Sequence, residues 1–367
     1  MCWLGSNLAI NERMIFTIIG SRNGFTALFL NDMRNNGITP LPHTFHCIIH
    51  QENLCAKTLQ LENVMKVVNG IVKNIRRKGL NHRQFRKFLE DMDSEYEDVP
   101  YYSEVRWLSR GRMMTRVYAL REAIVEFYRA QGSDSDLDEF QDEQFINDFA
   151  FAVDIISHLN KLNTLLQGES KVISDLYHNV GQFHGMLELW HGQFMKEEIN
   201  EELFPTLYGR RNMNLQMAKY TELVGKLKDE FEMRFSDFKK HSDEICLFTA
   251  PLSVSTIPAR LTMEIIDLKH DLVYSPLFQP GCDIVKAYQS LPQRYSRLKD
   301  YAAHWLGMFG STYRCEKLFS TMKYAKNKYR SRLTDDHLYD ILIITDSEME
   351  PDYKKMLENK DQHHKSH

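Results

Sequence analysis

The sequence predicts an α/β protein, with short strands near the N-terminus followed by a long helical stretch. Three observations carry this. Ile15-Phe16-Thr17-Ile18-Ile19 is a β-branched run that ends at Gly20, the pattern of a strand. Residues 43–50 form a second short run, rich in aromatic and β-branched side chains, that reads as a buried strand. From residue 112 onward apolar residues recur every three or four positions and none of the segments alternates. A chain of 367 residues is long for one domain and suits a core with an inserted domain.

The elements follow in order. Residues 27–33 read as a helix, and Pro40 and Pro42 bracket a connection. Leu54, Leu59, Leu61, Met65, Val68, Ile71 and Val72 recur near helical spacing. Arg76, Arg77 and Lys78 before Gly79 mark a helix C-terminus, with cations on the negative end of the dipole and glycine beyond it. A shorter helix follows at 84–92. Six of the nine residues 90–98 are acidic, which reads as a solvated linker into Pro100. Met113, Val117, Leu120, Ile124 and Phe127 predict one helix over 112–129, and 132–138 is a polar break. Helical patterns continue at 140–166, 169–198 and 212–240. Pro251 and Pro258 mark loops before a helix at 259–269, and Pro276, Pro280 and Gly281 break the chain again. The last helices are expected at 294–309, 314–326 and 334–347, the last capped by Thr334 with Asp335 and Asp336 in its first turn. Residues 349–367 are polar and charged and read as a frayed tail.

Bulk composition narrows the function. Net charge is −4, so any nucleic-acid contact has to use local basic patches rather than overall charge. The six cysteines, Cys2, Cys47, Cys55, Cys246, Cys282 and Cys315, form no C-x-x-C pair, so the common structural zinc spacings are absent and no metal is expected. Scattered cysteines point to reduced thiols, in cytosol or nucleus. No stretch has the pattern of a secretion signal or a membrane-spanning helix. No glycine-rich phosphate loop, zinc-protease, serine-hydrolase or kinase motif occurs, so neither a cofactor nor a small-molecule substrate is expected.

Five features remain as candidates. Cys47 and His50 form a C-x-x-H pair; alone it describes a buried cysteine beside a helix-entry histidine as well as it describes half a metal site. Arg106-Trp107 precedes a helix, where Trp107 either anchors that helix or stacks on a base. Glu316 is a single carboxylate on a helix, and two-metal phosphoryl chemistry needs several. Residues 314–333 hold seven Lys or Arg against one Glu, among them Lys323, Lys326, Lys328, Arg330 and Arg332. Such a stretch either holds phosphates or is solvated. Leu338, Ile341 and Leu342 line one face of the last helix, which either packs on its own core or builds a dimer.

The run Cys315-Glu316-Lys317-Leu318-Phe319-Ser320, with the basic stretch after it, resembles the C-terminal signature of hAT-family DNA transposases and the host proteins derived from them. Cys47–His50 and Arg106-Trp107 match that family's C-x-x-H and R-W elements. The resemblance implies an RNase H-like α/β core, N-terminally truncated, interrupted by a large all-helical insertion and closed by a C-terminal helical dimerisation region. The implied divisions are 1–110 (first part of the core), 111–290 (insertion), 291–348 (return to the core and dimerisation region) and 349–367 (flexible tail). Glu316 then takes the place of the last of three metal-binding carboxylates, and Cys47, His50 and Trp107 lie at positions near the family's active site. The first carboxylate would precede Met1, and ungapped counting puts Arg13, beside Glu12, where the second belongs. The resemblance therefore implies a domesticated, catalytically inactive, nuclear protein, with the cytoplasm as the other compartment open to it. It would act by dimerising with itself or with related hAT-derived proteins. The alternative is a residual DNA-binding protein using Arg106, Trp107 and the basic C-terminal stretch; an active transposase or nuclease ranks below both.

Overall fold

The computed structural model describes residues 25–38, 46–77, 79–92, 94, 96, 98–99, 107–132, 138–168, 171–279, 281–308, 313–327 and 330–347. Among these residues every regular element is helical and none is a strand. The expected α/β class and its RNase H-like core are therefore corrected to an all-helical architecture. The strand expected at 15–19 lies outside the described residues. The one expected at 43–50 gives way to a helix beginning at Ile48. The physical reason is that a short apolar run has no period of its own. Ile48 and Ile49 share a helical face with Cys55 and Ala56, two turns on, and all four are buried.

In chain order the helices are α1 Phe25–Asn35, α2 Ile48–Lys57, α3 Glu62–Arg77, α4 Gly79–Asp91, α5 Trp107–Ala119 and α6 Arg121–Ala130. Next come α7 Asp138–Gln141, α8 Glu143–Leu166, α9 Ile173–Phe194, α10 Pro205–Tyr208, α11 Met217–Arg234, α12 Ser236–Lys240 and α13 Ser242–Thr249. The last are α14 Ala259–His270, α15 Ile284–Ser290, α16 Ser296–Leu306, α17 Tyr313–Ala325 and α18 Asp335–Asp346. The described residues fall into two compact units, one over 25–308 and one over 313–347.

The larger unit is built around α8. Its 24 residues begin at Asp142, whose side chain caps the Gln144 N–H. A run of Phe149, Ala150, Phe151, Ala152 and Val153 is buried on every side, as expected for a helix surrounded by others. Around it pack α2, α5 and α9, and α9 pairs in turn with α11. Phe183 of α9 meets Phe231 of α11 with ring centroids 5.2 Å apart. Where α5 crosses α8 the Asn160 side chain lies against Gly111: a Cβ there would be 1.7 Å from Asn160 Nδ2. The helix expected over 112–129 is two helices, because the chain turns at Leu120 between α5 and α6.

The buried polar residues of α8 are used to hold other segments. Asn147 accepts from Arg210 Nε at 2.8 Å, and Asp154 accepts the Leu207 N–H at 2.9 Å. His158 bonds the Leu203 carbonyl at 2.6 Å through Nε2 and packs against Trp190. These bonds fix the segment between α9 and α11, giving partners to the Leu203 carbonyl, the Leu207 N–H and the Arg210 guanidinium.

The acidic segment 90–98 is no solvated linker at its end. Asp98 accepts from Arg76 Nη2 at 2.8 Å and pairs with His82 Nε2 at 2.8 Å. Arg116 donates to its carbonyl at 2.9 Å, and Val99 beside it is fully buried. The segment is therefore pinned between α3, α4 and α5.

The smaller unit is a hairpin of α17 and α18. Thr334 caps α18 as expected, accepting from the His337 N–H at 3.3 Å.

Candidate functional site

α2 carries Cys47 at its N-cap and His50 in its first turn. The helix packs against α8 and α11, so its polar side chains enter the interior. Glu52 has no exposed surface; its Oε2 accepts from Asn163 Nδ2 at 2.8 Å, and its Oε1 has no partner. Gln167 donates to Asn163 in turn. Gln51 accepts from Arg234 Nη1 at 3.2 Å, and Arg234 is held by Glu230 one turn back on α11. Just before α2, His46 Nδ1 lies 2.7 Å from Asp237 of α12.

Burial sets the charge state of this seam. Desolvation pushes the Glu52 carboxyl up to about 8, with the Asn163 hydrogen bond opposing it in part, so the acid stays neutral at pH 7. Desolvation, followed by the charges of Lys57, Arg234 and His46, lowers His50, which is neutral too. The Cys55 thiol is pushed far up, chiefly by burial, and is not a nucleophile. Glu52 and Gln51 tie α2 to α8 and α11; a neutral acid, a neutral imidazole and a protonated thiol do not form a base–nucleophile pair.

The other expected site residues are placed as follows. Trp107 begins α5, but its side chain and all of Arg106 lie outside the described residues. Glu316 is on α17, with its side chain likewise outside; it belongs to the smaller unit, whereas Cys47 and His50 belong to the larger. Lys323, Arg330 and Arg332 are exposed, Lys328 lies outside, and Lys326 bonds Asp335 at 2.6 Å across the hairpin. Among the described residues no three His, Cys, Asp or Glu side chains are arranged to hold a metal ion, so those residues do not fit a two-metal centre. Nor is any described helix long and apolar enough to cross a membrane. Leu338, Ile341 and Leu342 are half-buried, while Tyr339, Ile343 and Ile344 beside them are exposed.

Sequence reading missed Glu52, Asn163 and Arg234, which become visible only when helices 111 and 183 residues apart in partner spacing meet. It also missed residues 63–89, where eight Lys or Arg occur with no Asp or Glu. That signal was present in the sequence.

A helical hub with a buried polar seam, and no metal-binding cluster among the described residues, is the class these residues define. Residues 46–195 match the FAM200/GTF2IRD2 helical domain, and that family is transposase-derived. The chain is 36% identical over 301 residues to the general transcription factor II-I repeat domain-containing protein 2 of Bos taurus, covering 82% of this chain and 31% of the relative. It is 34% identical over 284 residues to the Mus musculus protein of the same name, covering 77% and 30%. This chain thus resembles one part of that group, and the match spans about a third of the length of those relatives.

Proposed function

We propose that this chain is a domesticated, non-catalytic transposase derivative that works by self-association through its C-terminal hairpin. One observation carries the reading. In a unit of two helices, Leu318 and Tyr324 on α17 and Tyr339, Ile343 and Ile344 on α18 are all exposed, Tyr324 by 83% and Ile344 by 66%. So small a unit buries little of its own apolar surface, and such side chains favour a partner. Leu338, Ile341 and Leu342 then fill the hairpin and support the face beside them. Neutral His50, Glu52 and Cys55 form no base–nucleophile pair, which supports a non-catalytic role for this seam. We place the protein in the nucleus because its relatives are named for general transcription factor II-I.

Sedimentation of the full chain at tens of micromolar tests the association. Burying one isoleucine contributes roughly 1.5–3 kcal/mol. Ile343→Asp with Ile344→Asp should therefore weaken a dimer by at least about 100-fold. A monomeric wild type, or a folded variant that associates equally well, would overturn the reading. In parallel, cleavage of hairpin DNA with Mg²⁺ or Mn²⁺ that disappears in Glu316→Gln would show a working nuclease instead.

A further inference from the structure

We propose that the exposed stripe of α3 formed by Lys66, Lys73 and Arg77 is a binding groove for the phosphate backbone of nucleic acid, read without regard to sequence. The stripe belongs to a stretch that stands apart in this chain. Residues 63–89 carry eight cations and no acid, in a protein whose net charge is −4. Burial divides that stretch cleanly. Val64, Val68, Ile71, Val72 and Ile75 of α3 face the interior. Arg76 is committed to Asp98 and the Val99 carbonyl, so it belongs to the scaffold.

Most of the remaining polar residues of α3 gather on one side, Glu62 at its start and Asn69 excepted. Asn63, Lys66, Gly70, Lys73, Asn74 and Arg77 line an open groove of about 480 Å³. Their spacing of three, four, seven and eleven residues keeps them on one helical face. Lys66, Lys73 and Arg77 are exposed. The two asparagines add neutral hydrogen-bond donors, and Gly70 leaves the centre of the stripe without a side chain, so a phosphate can approach the backbone. Across the groove lie Tyr128 and the carboxylate of Glu139, the one acid at its rim.

The geometry favours a nucleic acid over other polyanions. Lys66 and Arg77 are about 16 Å apart along the helix axis. A nucleic-acid strand advances about 3.4 Å per phosphate, so the three cations reach along several consecutive phosphates. An anionic membrane would call for large exposed apolar side chains beside the cations; the apolar lining of the groove is Val67, Ile71 and Tyr128, and Ile71 and Tyr128 are buried. No base-reading constellation accompanies the cations, which leaves backbone contact as the mode. α4, which packs on α3, adds exposed Arg83, Arg86 and Lys87 to the same basic stretch.

The test is anisotropy of a labelled 20-base-pair duplex with the full chain, titrated with salt. Wild type should bind with an affinity that falls steeply as salt rises. Lys66→Gln, Lys73→Gln and Arg77→Gln together should weaken binding at least tenfold and reduce the slope of log K against log salt by about 2 to 3, since each phosphate contact contributes roughly 0.9. Gly70→Glu is the second variant. A side chain there meets nothing within 4 Å, so it should fold normally while placing an acid in the groove and abolishing binding. Lys323→Gln with Arg330→Gln and Arg332→Gln should leave most of the binding intact. The proposal is overturned if wild type binds no duplex, if Gly70→Glu binds as wild type, if the C-terminal variant rather than the groove variant loses binding, or if phosphatidylserine vesicles bind the groove and DNA does not.

Discussion

Replacing Glu52 with glutamine should stabilise this protein at neutral pH and leave it unchanged in mild acid. Glu52 is fully buried, its Oε2 takes one hydrogen bond from Asn163, and no cation pairs with it. Its carboxyl is raised from 4.5 to about 8 in the fold. Between those values the folded state keeps the proton and the unfolded state releases it. Folding stability therefore falls as pH rises across that window, and the contribution is intact only below 4.5. The loss grows by about 1.4 kcal/mol for each pH unit, reaching about 3 kcal/mol at pH 7. Glutamine keeps the shape and the acceptor for Asn163. Its amide nitrogen takes the place of Oε1, which has no partner already, so no existing hydrogen bond is given up. Urea unfolding of both proteins, followed by fluorescence of buried Trp190 and Trp305 from pH 4.5 to 8, isolates the Glu52 contribution as a difference between two curves. Glu52→Gln should gain about 2–3 kcal/mol at pH 7, with the gap closing toward pH 4.5. A constant gap, or a variant less stable at pH 7, would mean that Glu52 is ionised in the fold and that the neutral seam is misread.

Two further substitutions probe the scaffold. Gly111→Ala should cost about 1–3 kcal/mol in thermal or urea unfolding, because the added Cβ overlaps Asn160 where α5 crosses α8; Asn160→Ala in the same chain should restore much of the loss. Asp98→Asn should cost about 2 kcal/mol by removing charge-assisted bonds to Arg76 and His82, and limited proteolysis should then cut between α4 and α5.

The parts of the fold that were legible in the sequence are those where period and punctuation agree. α8, α9, α11, α14 and α18 fall close to their expected positions, because several turns of apolar spacing run between caps or breakers. Where one of the two signals is missing, the reading slips. Residues 43–50 offered aromatic and β-branched content without length, which reads as a strand; burial of Ile48 and Ile49 on a helix decides otherwise. The turn at Leu120 has neither glycine nor proline to announce it. Asp98 looked solvated because its neighbours in sequence are acidic, while its partners Arg76 and His82 come from other helices.

Charge shows the same division more sharply. The acid-free run 63–89 can be counted from the sequence alone, yet counting treats Arg76 and Arg77 as equals. In the fold Arg76 is tied to Asp98, whereas Arg77 is exposed on the groove. Overall charge is negative, so any affinity for phosphate has to reside in such a local set. The cations of the groove and the apolar face of the hairpin belong to different units, and substitutions in one leave the residues of the other untouched. Phosphate binding and self-association can therefore be lost separately, and a variant lacking one should retain the other.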